Sequence, residues 1–269
     1  MSTRLSDHTR WNAIRGATGL LYLFLLLPLF IVVLISFNPT QYAAFPPEGL
    51  SLTWYREFLA SDRLLDALVN SFVVAAGSAL VAGAVGLISA IGFVRRDFRY
   101  KSVLSSLLFL PMLISPVVIG VALTAFLSDV GMQKNYLFLI LGHSTLVLPY
   151  VFVTVRAQLF GFDRSIEEAA LTLGANELET FVEVTLPSIM PGLAAGMLLA
   201  FVISFGEFTA TQFWVQPDTV TAPIEIYTMV RTSLTPEINA MATVLMIITV
   251  VIPLLLDVAL GKNLILKSA

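Results

Sequence analysis

Glu167 to Pro187 reads EEAALTLGANELETFVEVTLP, a stretch with five glutamates, one glycine and a terminal proline, set between two apolar runs. Its local chemistry predicts two short helices. Asp163 is placed to cap a first helix over about 164–173, and Glu167 and Glu168 fall in its opening turns, where acids complement the helix dipole. Gly174 supplies the left-handed residue that ends such a helix. Asn176 can cap a second helix over 177–184, and Pro187 either stops it or marks entry to the next element. The expected product is a helix–glycine–helix hairpin that exposes a small-residue face at Ala169 and Ala170.

The surroundings of this acidic insert are those of an integral membrane protein. The 269 residues are 57% hydrophobic and only 12% charged, about half the charge of an ordinary soluble domain. Mean hydropathy is +0.88. There is no cysteine, hence no disulfide framework and no thiolate metal site, and two histidines, His8 and His143, do not make a multi-histidine site. The N-terminal apolar run is too long for a cleavable signal, and no small-residue cleavage site follows it. Spans are read from the uncharged gaps: about 16–37, 67–94, 102–128, 135–155, 184–206 and 238–256. Each approaches or exceeds the ~20 residues that cross a bilayer as helix. Solid apolar runs without alternation exclude a barrel. The fifth apolar pattern continues past Glu207 to about Val215. AAGSALVAGAVG (75–86) and the Gly192/Gly196 spacing favour close helix packing. Pro28, Pro111, Pro116 and Pro149 are expected to kink their spans.

Lysine and arginine give the orientation. Loops on the side of the N-terminus hold eleven, including Arg95, Arg96, Arg99 and Lys101, and the opposite loops hold four. Both termini and the acidic insert are therefore expected in the cytoplasm. On the opposite side, FPPEGLSLTWYREFL (45–59) reads as paired prolines followed by an amphipathic helix whose Trp54, Tyr55 and Phe58 settle at a membrane interface. PIEIYTMV (223–230) reads as a short helix dipping toward the membrane. The expected organisation is a cytoplasmic segment 1–15, a six-helix domain 16–260 with the insert loop at 156–191, and a cytoplasmic tail 261–269.

Glu168-Ala169-Ala170, three residues, Gly174, nine residues, Val184, one residue, Leu186-Pro187 resembles the signature of membrane subunits of bacterial and archaeal ABC importers, with valine where that signature has isoleucine. The resemblance extends through NSFVVAAGSAL (70–80), LPMLISPVVIG (110–120) and VTVRAQLFGFD (153–163). It implies an all-α, six-span type I ABC importer permease fold in the inner membrane, with both termini inside. It also implies that the first helix of the insert couples to an ATP-binding subunit, with Glu168, Ala169, Ala170, Gly174, Leu186 and Pro187 at or beside that contact. Two ATP-binding subunits, a second permease (similar or identical) and an extracytoplasmic solute-binding protein are the implied partners. The chain has no Gly-x-x-x-x-Gly-Lys-Ser/Thr loop, so ATP and Mg are assigned to the partner subunit, with no cofactor and no enzyme activity in this chain. No feature suggests nucleic-acid binding.

LPYVFVTVRAQLFGFD (148–163), LPSIMPGLAAG (186–196) and IEIYTMVRTSLTPEINAMAT (224–243) resemble spermidine/putrescine permeases more narrowly. Permeases for aminoethylphosphonate, ferric iron and molybdate-like anions share much of the pattern, and these substrates stay open. Within SFGEFTATQFW (204–214), Glu207 is an ionisable residue inside a span, costing about 2.5–3.5 kcal/mol at a helix centre unless offset. A polyamine would offset it, with Phe205, Thr209, Gln212 and Trp214 as further pathway candidates through cation–π contact and hydrogen bonding. Polyamine permeases often carry two adjacent aspartates here, whereas this chain has Gly206 and Glu207. The competing reading makes Glu207 structural. A stand-alone secondary transporter or channel would hold several intramembrane charges, and a membrane enzyme paired acids or histidines; neither pattern is present.

Overall fold

The computed structural model describes residues 2–40, 49–232 and 236–259, among which there is no strand. Pro46 and Pro47 and the expected tail at 261–269 lie outside the described residues. Five helices have the length and composition to cross a membrane: Arg10–Ser36, Asp62–Arg95, Tyr136–Phe160, Glu177–Phe205 and Glu237–Leu255. A bent pair, Lys101–Leu113 with Pro116–Asp129, makes a sixth if counted as one span. In chain order the helices are α1 (Ser2–Ser36), α2 (Thr53–Ala60), α3 (Asp62–Arg95), α4 (Lys101–Leu113), α5 (Pro116–Asp129), α6 (Tyr136–Phe160), α7 (Ser165–Thr172), α8 (Glu177–Thr180), α9 (Leu186–Phe205), α10 (Ala222–Thr232) and α11 (Glu237–Ala259). The described residues cluster into two compact units, drawn from 1–64 with 226–246 and from 65–225 with 247–269.

In the first unit the expected amphipathic helix is present as α2, and two of its aromatic side chains are turned into the protein. Trp54 and Phe58 are buried. The Trp54 indole N–H donates to the Asn38 carbonyl at 2.6 Å, and the Tyr55 and Ser36 hydroxyls share a hydrogen bond of 2.6 Å. The Tyr55 ring sits 5.2 Å from that of Phe37. These groups dock α2 onto the end of α1, because each polar tip finds a backbone or hydroxyl partner there that lipid headgroups would otherwise supply.

The second unit is organised by α6 and α9, which pack extensively against each other. A Cβ on Gly196 would lie 2.2 Å from Thr154 Oγ1 and 2.9 Å from the Val151 Cα, and one on Gly192 would lie 3.0 Å from the Thr154 carbonyl oxygen. The two backbones therefore run almost in contact, as the small-residue spacing predicts. α3 packs on the same α6: a Cβ on Gly77 would meet Ile140 at 2.8 Å, one on Gly86 would meet Val151 at 2.9 Å, and the Ser78 hydroxyl donates to the Ile140 carbonyl at 3.2 Å. Phe152 of α6 is fully buried and receives the rings of Phe93 and Phe109 in edge-on contact at 5.4 and 5.8 Å.

Two expectations need correction. The third span is not one helix with a kink: α4 and α5 meet at 113°. Pro116 is the reason. It denies Ser115 the helical region, and Ile114 and Ser115 are extended with ψ of 138° and 134°. The fifth span does not run on to Val215. α9 stops at Phe205, and 206–215 form turns with a short 3-10 segment at Thr211–Phe213.

Gly196→Val should lower the thermal midpoint of the detergent-purified protein by several degrees, since overpacking a filled contact costs about 1–3 kcal/mol. Gly92→Ala, where a Cβ meets nothing within 4 Å, is the control and should leave the midpoint unchanged or slightly raised.

Candidate functional site

The acidic insert folds as the expected hairpin. The Asp163 carboxylate accepts from the Ser165 N–H at 2.9 Å, which starts α7 and holds the Asp163 pKa below the usual carboxylate value. α7 ends at Thr172, and Gly174 takes φ +101°. This is the left-handed conformation that glycine alone adopts without strain, and the Ala175 N–H closes the turn on the Ala170 carbonyl at 3.1 Å. Asn176 then makes a full capping box. Its side chain accepts from the Leu178 and Glu179 N–H groups at 3.0 and 2.9 Å, and Glu179 accepts from the Asn176 N–H at 2.9 Å.

The second helix differs from expectation in its exit. α8 is four residues long, and the chain loosens into a π-helical turn at Phe181–Thr185 before resuming α-helix at Leu186. Pro187 therefore does not stop α8: it follows the π turn inside one continuous helical run, Glu177–Phe205. The motif residues Glu168, Ala169, Gly174 and Pro187 are exposed, while Ala170 and Leu186 are half-buried. Around them stand exposed apolar side chains, Ile166, Leu171, Leu173, Leu178 and Val182, with Leu173 at 89% exposure.

Sequence reasoning missed the residue that holds the hairpin in place. Glu167 was expected to complement the helix dipole alongside Glu168, yet it is 8% exposed and turned inward. One carboxylate oxygen accepts from both the Arg95 guanidinium, at the end of α3, and the Thr185 hydroxyl, in the π turn. Arg95 also donates to the Thr185 hydroxyl at 3.3 Å. A cleft of about 560 Å³ borders this cluster, lined by Arg95, Arg96, Glu167, Leu171, Glu177, Leu178, Thr180 and Phe181. The signal in the sequence was the doubled glutamate, whose two members lie 100° apart on a helix and so cannot share one environment.

At the other end of α9 the candidate pathway residues separate. Glu207 is half-buried, and its carboxylate accepts from the Ala210 N–H at 2.7 Å, which pins the turn after Gly206. Thr209 is half-buried, and exposed Gln212 donates to the Thr209 carbonyl at 2.9 Å. Phe205 and Trp214 are turned into the protein at 1% and 0% exposure. The Trp214 indole N–H donates to the Gly120 carbonyl of α5 at 3.0 Å, and the ring lies where a Cβ on Gly142 would sit 2.7 Å away. His143 stands between α6, α9 and this turn, with Nδ1 2.8 Å from the Ser204 hydroxyl and Nε2 2.9 Å from that of Thr211. Asn70 of α3 fastens the next loop, donating to the Asp218 and Val220 carbonyls at 3.3 and 2.9 Å while accepting from the Tyr136 hydroxyl. Asn70 was not singled out from the sequence. Among the described residues no group of acids, histidines or cysteines has the arrangement of a metal site.

Residues 82–264 match the family model for the binding-protein-dependent transport system inner membrane component. The chain belongs to that family. The permease component's relatives include the spermidine/putrescine transport system permease protein PotC of Haemophilus influenzae, 34% identical over 242 residues that cover 90% of this chain and 94% of the relative. The molybdenum transport system permease protein ModB of the same organism is 31% identical over 215 residues, covering 74% of this chain and 94% of the relative. Its fold is also that of a solved bacterial alginate ABC transporter in complex with an alginate pentasaccharide-bound periplasmic protein (TM-score 0.72, 16% identity, 93% of each chain covered). The permease component is thus a multi-pass membrane protein of the ABC importer class.

Asn176→Ala should remove the capping box and about 1 kcal/mol of local stability, read as a roughly fivefold faster amide exchange at 177–180 with exchange in α6 unchanged.

Proposed function

We propose that this chain is the translocating subunit of an ATP-driven importer for small polycationic solutes of the spermidine/putrescine class, working by alternating access. The observation that carries the reading is the α7–α8 hairpin: its exposed apolar side chains and left-handed Gly174 stand on the motif that resembles the ATPase-coupling signature. Separate ATP-binding subunits, which would bind ATP and Mg, dock on that face; a second permease completes the pathway; an extracytoplasmic protein delivers the solute. The family description, the alginate complex and the high coverage of the polyamine relative support this. The excess of lysine and arginine on one set of loops supports cytoplasmic termini and a cytoplasmic hairpin.

The pathway role narrows to Glu207, Thr209 and Gln212. Phe205 and Trp214 act as scaffold, since their buried rings are not available to a solute crossing this chain. Glu207 serves the turn with one oxygen and offers the other to a cation.

Two measurements test the proposal. Gly174→Trp should cut ATP-dependent uptake at least tenfold while leaving membrane insertion intact, because a side chain at φ +101° strains the hairpin by about 1–2 kcal/mol and displaces its docking face. Normal uptake in that variant would remove the coupling role. In the reconstituted complex, spermidine should stimulate ATP hydrolysis in the presence of the binding protein, and Glu207→Gln should abolish that stimulation, since glutamine keeps an oxygen for the Ala210 N–H but not the charge. Stimulation by molybdate instead would keep the importer and defeat the polyamine assignment. Undiminished stimulation by spermidine in the variant would return Glu207 to a purely structural role.

A further inference from the structure

α7 is eight residues long, joined to α6 through 161–164 and to α8 through exposed Gly174. A helix this short has little stability of its own. Its apolar side chains Ile166 and Leu171 are half exposed, so they hold it to the chain only in part. Glu167 is the buried side chain of this helix. Its carboxylate, with 11% of the side chain exposed, meets the Arg95 guanidinium, itself 26% exposed. Parting so enclosed a pair would leave each ion without its partner, and that cost holds the pair closed. Arg95 is the last residue of α3, where a cation is favoured by the helix dipole. Thr185 belongs to the π turn, whose wider register is closed by the Leu186 N–H on the Phe181 carbonyl. Single π turns inside helices are frequent at functional sites, and here the Thr185 hydroxyl is aimed at Glu167. Through Glu167, α7 is thereby fastened to the end of one span and the entry of another.

We infer that Arg95, Glu167 and Thr185 form a latch that carries displacement of α7 into α3 and α9 together, which makes Arg95 and Glu167 positioning residues for the coupling of ATP turnover to transport. The inference rests on the reading of α7 as the ATPase-docking element. It differs from the docking role of the exposed motif residues, because Glu167 faces inward and would touch no partner. The latch has room to open: the adjoining cleft admits water to a parted pair and holds a second acid, Glu177, and a second cation, Arg96. The same space lets the site accept substitutions without repacking a core.

The experiment uses the whole complex, with ATP-binding subunits, second permease and binding protein, in lipid vesicles. ATP hydrolysis and spermidine uptake are measured on the same preparation for wild type, Glu167→Gln, Arg95→Ala and Arg95→Lys. The latch predicts that Glu167→Gln and Arg95→Ala keep basal ATP hydrolysis within about twofold and lose about tenfold in spermidine taken up per ATP hydrolysed, the scale of a broken, partly enclosed ion pair. Arg95→Lys, which keeps the charge, should recover most of that ratio. A second readout needs no solute. On trapping with ATP and vanadate, amide exchange in wild type should change in α7, at the end of α3 and in 181–190 together, whereas in Glu167→Gln the change should be confined to α7. Equal loss of hydrolysis and uptake, an unchanged uptake ratio, or an undiminished response of 181–190 in the variant would each overturn the latch. A wild-type complex whose α7 exchange does not respond to trapping would instead overturn the docking reading beneath it.

Discussion

α6 and α9 approach until backbone meets side chain, and much of the second unit hangs on that approach. At Gly196 there is no space for a methyl group against Val151 and Thr154. Lipid offers no hydrophobic drive for two apolar helices to associate, so such contacts must come from close packing and from polar groups that find partners between helices. Both are visible along this seam. Gln158 of α6 donates to the Ser188 carbonyl at 3.2 Å near one end, and His143 reaches Ser204 near the other. α9 is the element that continues at its start into the α7–α8 hairpin and at its end into the 206–215 turns. A fixed α6–α9 seam therefore sets where both candidate regions lie.

The two regions obey different physics. The hairpin is shaped by local rules that act over a few residues: an aspartate accepting the N–H of the first helical residue, a glycine in the left-handed region, an asparagine with a glutamate three residues on. The turn at 206–215 is shaped by burial. Trp214 needs a cavity of its own size and a carbonyl for its indole N–H, and Gly142 and Gly120 provide them from two other helices. Glu207, the ionisable group most exposed to a functional interpretation, is engaged with the Ala210 N–H of its own turn.

This division decides what the sequence disclosed. Span positions were legible because charge is costly in lipid, so uncharged gaps trace the helices. The hairpin was legible because its signals are local. The break at Ile114–Ser115 was written in Pro116 but was hidden inside an uncharged gap long enough for one straight helix. The end of α9 was written in Gly206, yet the aromatic pattern beyond it read as more span. The partner of Glu167 was not legible at all, since Arg95 lies 72 residues away and nothing in either residue's neighbourhood names the other. Ring packing at Trp54 was missed for the same reason: a tryptophan suited to an interface is equally suited to a buried contact with a spare carbonyl.

The π turn at Phe181–Thr185 has a consequence for how this chain can vary. It accommodates one residue more than an α-helical path between the same ends. Removing a single residue there would let α8 run into α9 as one regular helix between unchanged ends, leaving the hairpin where it stands while taking away the local widening that brings the Thr185 hydroxyl to Glu167. The π turn thus works as slack in the helix: a length change of one residue at 181–185 is absorbed by the fold and felt at the carboxylate.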